Sequence, residues 1–431
     1  PVATRVYRVR TAGAPKARAL ARVAFSLLWI FVFTIAWENI VVIPGIGTVG
    51  KLAGALAFGV GLLAVVDQGR ARGLTAVHVW LALFVLWGGF TYLWSVSPER
   101  TQSEVLTYIQ LLGMIWILRE VAFRKESQRS LMSAYVLGTY VSSIATFMAF
   151  LSGTAVYYNR YTAQGFNPGD LGLMLALSIP FGLHLAATER NKLLVCVYRL
   201  HCVAALSAIL FTAARGALIA ALISLTMVPL SFMKWSSRQR FAVGFTGLTA
   251  AVVILCVVPA SSWTRLSTIG QEVSEGTLNE RKTIWSAGLE VLSQHPVQGI
   301  GLDAFAPAVQ RILYTPRQQN TLDGRREVIE LVAHNTFLSV LVEAGVIGFG
   351  LFLAALIALW KGAFTLEAAE RNLWLVVLSV WTVGVMELTW EYRKPTWLIF
   401  GLLAAAIGAA KSKQAVSPRM YLLAPGSAIC R

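Results

Sequence analysis

The 431-residue chain is 56% hydrophobic and only 13% charged, about half the charged fraction of a soluble domain, which excludes an ordinary soluble globular protein. Its net charge of +16 raises the question of nucleic acid. The basic residues fall in short clusters between apolar runs, with no basic stripe or aromatic-basic interleaving, so a polytopic membrane protein without a nucleic-acid partner is the better reading.

Taking about 17–25 apolar residues as the length of a crossing, twelve segments qualify. They are 21–43, 46–66, 75–94, 104–123, 131–151, 168–187, 192–212, 215–233, 241–259, 335–360, 373–390 and 396–410. The fold class is therefore all-α, with about 12 transmembrane helices. Nine lie within 1–259 and three within 335–410; 260–334 is a large, partly helical loop domain and 411–431 a tail. Segments 192–212 and 215–233 nearly touch, which predicts a very tight turn at Thr212-Ala-Ala-Arg215-Gly216. The basic N-terminus leads into the first segment without a small-residue cleavage site. Cys196, Cys202, Cys256 and Cys430 show neither disulfide nor metal spacing.

Short-loop charge sets the orientation. Arg70 and Arg72, Arg124, Lys125 and Arg129, Arg190 and Lys192, Lys234, Arg238 and Arg240, and Lys361 and Arg371 fall on one side with both termini. That side reads as cytoplasmic, so the long loop faces outward, which in a Gram-negative cell is the periplasm. Arg160, Arg215, Arg265, Arg281, Arg311, Arg317, Arg325, Arg326, Arg393 and Lys394 then share the outer side. Most of these fit solvated or headgroup-anchoring roles. Arg215, in its tight turn, and Arg281, in an amphipathic helix with Ile284, Trp285 and Leu289, fit that role less well. Guanidinium forks match phosphate oxygens, so a phosphorylated or diphosphorylated lipid is the implied ligand.

Asn335 is a plausible N-cap, which stands His334 beside the first turn of the tenth segment. The positive helix end disfavours an imidazolium there and favours a neutral, proton-accepting ring; the competing role is a simple interfacial histidine. His78, His184 and His201 read as packed, and His295 as an exposed turn residue. Gly299-Ile-Gly301-Leu-Asp-Ala304 fits a loose dinucleotide pattern but lacks its βαβ setting. Gly59 and Gly61 read as helix-packing positions. No metal-ligand spacing is present, so the expected metal and cofactor complement is none.

His334-Asn335, nine residues, then Gly345-Val-Ile-Gly348 resembles the signature of bacterial O-antigen ligases. Arg281-Lys-Thr-Ile-Trp285 and Pro296-Val-Gln-Gly299-Ile-Gly301 are similar to the loop helix and turn of the wider O-antigen ligase and polymerase superfamily. Arg215-Gly216 and Phe166-Asn167-Pro168 also look like that superfamily, although Asp170 stands where another polar residue is common. The likeness covers roughly 155–350 in motif and the whole chain in topology. It implies a GT-C-like, metal-independent, inverting glycosyltransferase of the inner (cytoplasmic) membrane, its active site facing the periplasm. The donor would be O-antigen polysaccharide on undecaprenyl diphosphate, the acceptor the lipid A-core, with membrane lipid around the spans. His334, Arg215 and Arg281 are the implied catalytic residues; Arg160, Arg265, Asn335 and Tyr161 the implied substrate contacts.

An O-antigen polymerase or a protein O-glycosyltransferase would use similar chemistry. A lipid-linked glycan flippase would place charges along a path inside the spans. Glu38, Arg119, Arg199, Glu343 and Glu387 do fall within the segments, but most charges gather at the outer face, which favours the enzyme. The orientation has a direct test. Cysteines placed at Arg100, Gly276 and Arg317 should react with a membrane-impermeant reagent in outer-permeabilised cells, and those at Arg72, Ser127 and Arg238 should not. Reaction of the second group would overturn the orientation.

Overall fold

A computed structural model describes residues 15–69, 71–156, 160–226, 244, 263–264, 281–314 and 331–421. The described helices are α1 (Pro15–Ile35), α2 (Val49–Gln68), α3 (Ala76–Thr91), α4 (Pro98–Val121), α5 (Lys125–Leu151), α6 (Pro168–Thr188), α7 (Lys192–Thr212) and α8 (Arg215–Leu225), followed by α9 (Arg281–Gln294), α10 (Phe305–Leu313), α11 (Thr336–Phe364), α12 (Ala368–Gly384) and α13 (Lys394–Tyr421). Seven of these (α2, α3 with its short 3-10 extension, α5, α6, α7, α11 and α13) are long and apolar enough to cross a membrane, and α1 and α8 are shorter apolar helices. The chain is an all-α polytopic membrane protein. The expected segment 241–259 apart from Gly244, the end of 215–233 and residues 265–280 and 315–330 lie outside the described residues.

Two expected segments need correction. The first, 21–43, is helical only to Ile35. It is followed by a 3-10 turn, Glu38–Ile40, and a two-stranded antiparallel hairpin pairing Val42 with Thr48 and Ile43 with Gly47. The eleventh, 373–390, is helical only to Gly384, and 385–393 is an ordered connection. Both misreadings have one cause: apolar residues such as Val41, Val42, Val385 and Leu388 continue past the helix ends. Glu38 and Glu387 consequently lie beyond the ends of α1 and α12 rather than within them.

Burial sorts the helices. Of the apolar stretches, 83% is buried in α13 and 78% in α6, against 28% in α2. Leu52, Leu56, Leu62, Leu63 and Val66 of α2 remain exposed, as expected for a face turned to acyl chains. Association in lipid depends on close packing rather than water exclusion. The small residues of α13, Ala404, Ala405 and Ala406, meet that need. Gly61 packs its Cα against Ile117 of α4, whereas Gly59 faces open space; only one of the pair is a packing position.

The turn at 296–301 is fastened to the middle of α11. That helix is broken at Gly345, which adopts φ 64° and ψ −175°. The break frees carbonyls and amides of the helix, and the turn takes them. Gly301 N–H and Ile300 N–H donate to Glu343 O at 3.0 and 3.1 Å, while Val346 N–H and Ile347 N–H donate to Pro296 O at 3.0 and Val297 O at 3.4 Å. A Cβ on Gly299 would stand 2.3 Å from Glu343 O, and one on Gly345 2.2 Å from Val297 O. The turn is in addition held to the α3–α4 connection, where Val96 N–H donates to Ile300 O at 2.9 Å, and to the first turn of α4, where the Thr101 hydroxyl donates to Leu302 O at 2.6 Å. Gly345→Ala should therefore destabilise strongly. The backbone region alone costs about 1–3 kcal/mol for a non-glycine residue, before the steric overlap. Thermal unfolding in detergent should show a clearly lower midpoint for Gly345→Ala, and an unchanged or higher one for Gly59→Ala, which gains helix propensity.

Candidate functional site

The α7–α8 corner turns in two residues. Ala213 takes a left-handed conformation, φ 47°, and its N–H donates to Leu210 O at 3.1 Å. Arg215 then opens α8. The carbonyls left over at the end of α7 are accepting groups, and the segment before α6 satisfies them: Tyr161 N–H donates to Phe211 O at 3.0 Å and Arg160 Nε to Thr212 O at 2.8 Å. Arg160, Tyr161 and Arg215 are thus gathered at one corner. The Tyr161 ring also meets Phe150 edge-on at 5.2 Å.

A second group is built on α9. Ile284, Ala287, Gly288 and Val291 are its buried face, packed with Ile300, Phe305, Val309, Leu331 and Ala333 into a small core of their own. Leu289, expected on that face, is 53% exposed. Trp285 Nε1 donates to Ala333 O at 2.8 Å, and Arg281 lies one turn earlier on the same side of the helix. The next residue, His334, holds φ 48°, a conformation that costs a non-glycine residue free energy and persists only where the surroundings enforce it. Asn335 is extended, and its side-chain oxygen accepts Leu338 N–H at 3.0 Å, capping α11 as expected. Burial and the Arg281 charge together hold the His334 imidazole down at about 4, so it is neutral at pH 7 and can accept a proton.

The 385–393 connection joins the two groups. Thr336 N–H donates to Val385 O at 3.0 Å, its hydroxyl to Leu388 O at 2.9 Å, and Trp390 N–H to that hydroxyl at 2.7 Å. On the other side, Glu387 lies against α8: a Cβ on Gly216 would meet its Oε2 at 2.2 Å. The residues beside Arg215 and beside His334 therefore rest on the same few residues. Asp170 completes the brace, accepting Trp390 Nε1 at 2.9 Å and Arg393 Nη2 at 3.0 Å. Asn167 caps α6 by accepting Gly169 N–H at 2.8 Å, with Pro168 in its first turn. Lys394 is ion-paired with Glu38, which also accepts the Thr48 hydroxyl at 2.9 Å.

The structure thus brings Arg160, Tyr161 and Arg215 together and sets Arg281 beside His334 and Asn335. Arg265 lies outside the described residues. Sequence reasoning did not identify the 385–393 connection, whose signal was a cluster of charges, Glu387, Glu391, Arg393 and Lys394, at the end of an apolar run. Of the expected packed histidines, His201 meets the Thr139 hydroxyl at 2.8 Å and His78 the Thr75 hydroxyl at 2.8 Å. With two helix N-termini and several guanidiniums, this end of the bundle suits an anion, with a neutral imidazole at its edge.

The Arg281–His334 coupling predicts a sign. Removing the positive charge makes the imidazolium less unfavourable, so His334 should titrate at a higher pH in Arg281→Gln than in the wild type. NMR of histidine-labelled protein, with the resonance assigned by loss in His334→Asn, reads this directly. An unchanged or lower titration midpoint would show that the two side chains do not interact.

The sequence model of the family described as O-antigen ligase matches residues 200–353, the stretch that carries Arg215, Arg281, His334 and the Gly345 break. The exopolysaccharide production protein ExoQ of Rhizobium meliloti (strain 1021) is 22% identical over 311 residues, 70% of this chain and 68% of that protein. The chain is thus similar to the O-antigen ligase family over the stretch that carries these residues, within an all-α membrane bundle.

Proposed function

We propose that the protein is an O-antigen ligase, a metal-independent, inverting glycosyltransferase that moves polysaccharide from undecaprenyl diphosphate to the lipid A-core. The observation that carries the reading is the shared support of the Arg215 corner and the His334 junction on 385–393. In this reading the acceptor hydroxyl attacks the anomeric carbon while His334 takes its proton. The bond from that carbon to the diphosphate breaks, and the growing negative charge is held by Arg215 and Arg281, with Arg160 and Arg265 contributing. A diphosphate is already a good leaving group, so charge stabilisation matters more than acid catalysis. Guanidiniums can supply it without a divalent cation, and transfer should persist in EDTA. The polar end faces the periplasm of the inner membrane, following the loop charges.

A second reading has a specific observation behind it. The name of the ExoQ relative places that protein in exopolysaccharide production, which fits a polymerase that extends lipid-linked chains. Lipopolysaccharide gels of a deletion strain separate the two. Bare core with accumulated lipid-linked polymer indicates a ligase; chains of a single repeat indicate a polymerase.

The assigned roles predict different lesions. Lysine keeps charge but lacks the planar fork, and one lost charge-assisted contact of about 1.5–3 kcal/mol corresponds to roughly ten- to hundredfold in rate. Arg215→Lys and Arg281→Lys should lose transfer on that scale together with donor binding. His334→Ala should bind donor yet fail to transfer. Near-normal transfer in both lysine variants would reduce the arginines to surface anchors, and loss of donor binding in His334→Ala would make it a phosphate ligand.

A further inference from the structure

One carboxylate at the polar end reaches the Arg215 corner and has no part in the transfer steps above. α8 opens at Arg215 without a side-chain cap and without an acidic residue in its first turn. Glu387, from the 385–393 connection, places a carboxylate there instead: a Cβ on Gly216 would stand 2.2 Å from its Oε2 and 2.6 Å from its Cδ. Glycine is a poor helix former, and Gly216 is helical without a positive φ, so the backbone does not call for it. The room it leaves is taken by the carboxylate. Glu387 is also held from both sides. Leu388 Cδ2 packs on α6, 3.0 Å from where a Gly169 Cβ would stand, and Thr336 donates its N–H to Val385 O at 3.0 Å and its hydroxyl to Leu388 O at 2.9 Å. Glu387 is therefore a fixed negative charge on the first turn of α8, one residue from Arg215.

Such a charge opposes the anion that the corner otherwise attracts, and the chemistry of transfer gives it a use. In the donor the diphosphate is a diester, joined to the lipid at one end and to the sugar at the other. When the bond to the anomeric carbon breaks, the diphosphate oxygen keeps the electron pair. The spent carrier then ends in a terminal phosphate with one more ionisable oxygen, largely charged at neutral pH. The guanidiniums of Arg160 and Arg215 and the N-terminus of α8 consequently hold the product more tightly than the donor. Left unopposed, that order of affinities slows turnover at product release.

We propose that Glu387 is a release residue: its carboxylate weakens the hold on the spent lipid diphosphate more than the hold on the glycan-bearing donor. Repulsion grows with the charge on the ligand, so a fixed carboxylate works against the very charge that the reaction creates. The proposal rests on the transferase reading. Two substitutions remove the effect by different routes. Glutamine at 387 keeps the shape and loses the charge, whereas alanine at 216 keeps the charge and pushes the carboxylate off its seat.

Binding to the purified protein tests the discrimination, with undecaprenyl diphosphate as the spent carrier and undecaprenyl diphosphate bearing one sugar as the diester. Glu387→Gln should bind the carrier about tenfold more tightly than the wild type, and the diester more tightly by a smaller factor. Gly216→Ala should shift the ratio in the same direction, each variant being verified as folded by thermal unfolding. Glu290→Gln, at an exposed position on α9, should leave the ratio unchanged. In transfer assays Glu387→Gln should keep its single-turnover rate and lose multiple-turnover rate; a merely structural role would lower both. Equal gains for the two lipids, or no gain in either variant, would overturn the release role and leave the transferase reading standing. Failure of both lipids to bind the wild type would defeat the transferase reading, and the release role with it.

Discussion

The exchange of backbone hydrogen bonds between the 296–301 turn and the broken middle of α11 is the constraint on which the polar end depends. An interrupted helix leaves amides and carbonyls that must find partners elsewhere. Here the turn satisfies them, and the approach is so close that Gly299 and Gly345 leave no space for a side chain on either partner. One stroke repairs the helix and fastens α9 and α10 to it. Because α9 reaches Ala333 through Trp285, and α11 starts at Thr336, the geometry of His334 is determined from both directions.

The second support comes from further along the chain. The 385–393 connection contributes carbonyls to Thr336 and a carboxylate to the start of α8, and is itself held by Asp170 of α6 and by the first turns of α13. Polar groups of α6, α11 and α13 are therefore tied together through this connection. A site assembled in this way is rigid because removing one partner leaves another buried group without a hydrogen bond. Among the described residues, Thr389 Oγ1, Glu391 Oε2 and Arg393 Nε of the same connection are buried without a hydrogen-bond partner.

Much of this was legible in the sequence, for identifiable reasons. Apolar runs revealed most helices, since a crossing has a characteristic length. The tight corner at Arg215 followed from two runs with almost nothing between them, and the cap at Asn335 from the residue type and its position. The Gly299–Gly345 contact was not legible, because spacing along the chain carries no information about which glycines meet. Nor was 385–393: Val385, Met386, Leu388 and Trp390 prolong the hydrophobic run of α12, and only tertiary hydrogen bonds reveal that the helix has stopped. Asp170 looked like a departure from a motif; its partners, Trp390 and Arg393, are more than two hundred residues away.

The enclosure of α13 has a consequence for biosynthesis. Its packing partners α1, α3, α4, α5, α11 and α12 all precede it in the chain, and chains fold from the N-terminus as they emerge from the ribosome. The earlier helices consequently enter the bilayer around a slot that is still vacant. Until α13 arrives, Trp381 lacks the Thr396 hydroxyl it binds at 3.0 Å, and Glu38 lacks Lys394. The order of translation thus leaves the most central piece for late insertion, and makes the final shape of the polar end contingent on a helix that none of the earlier ones can replace.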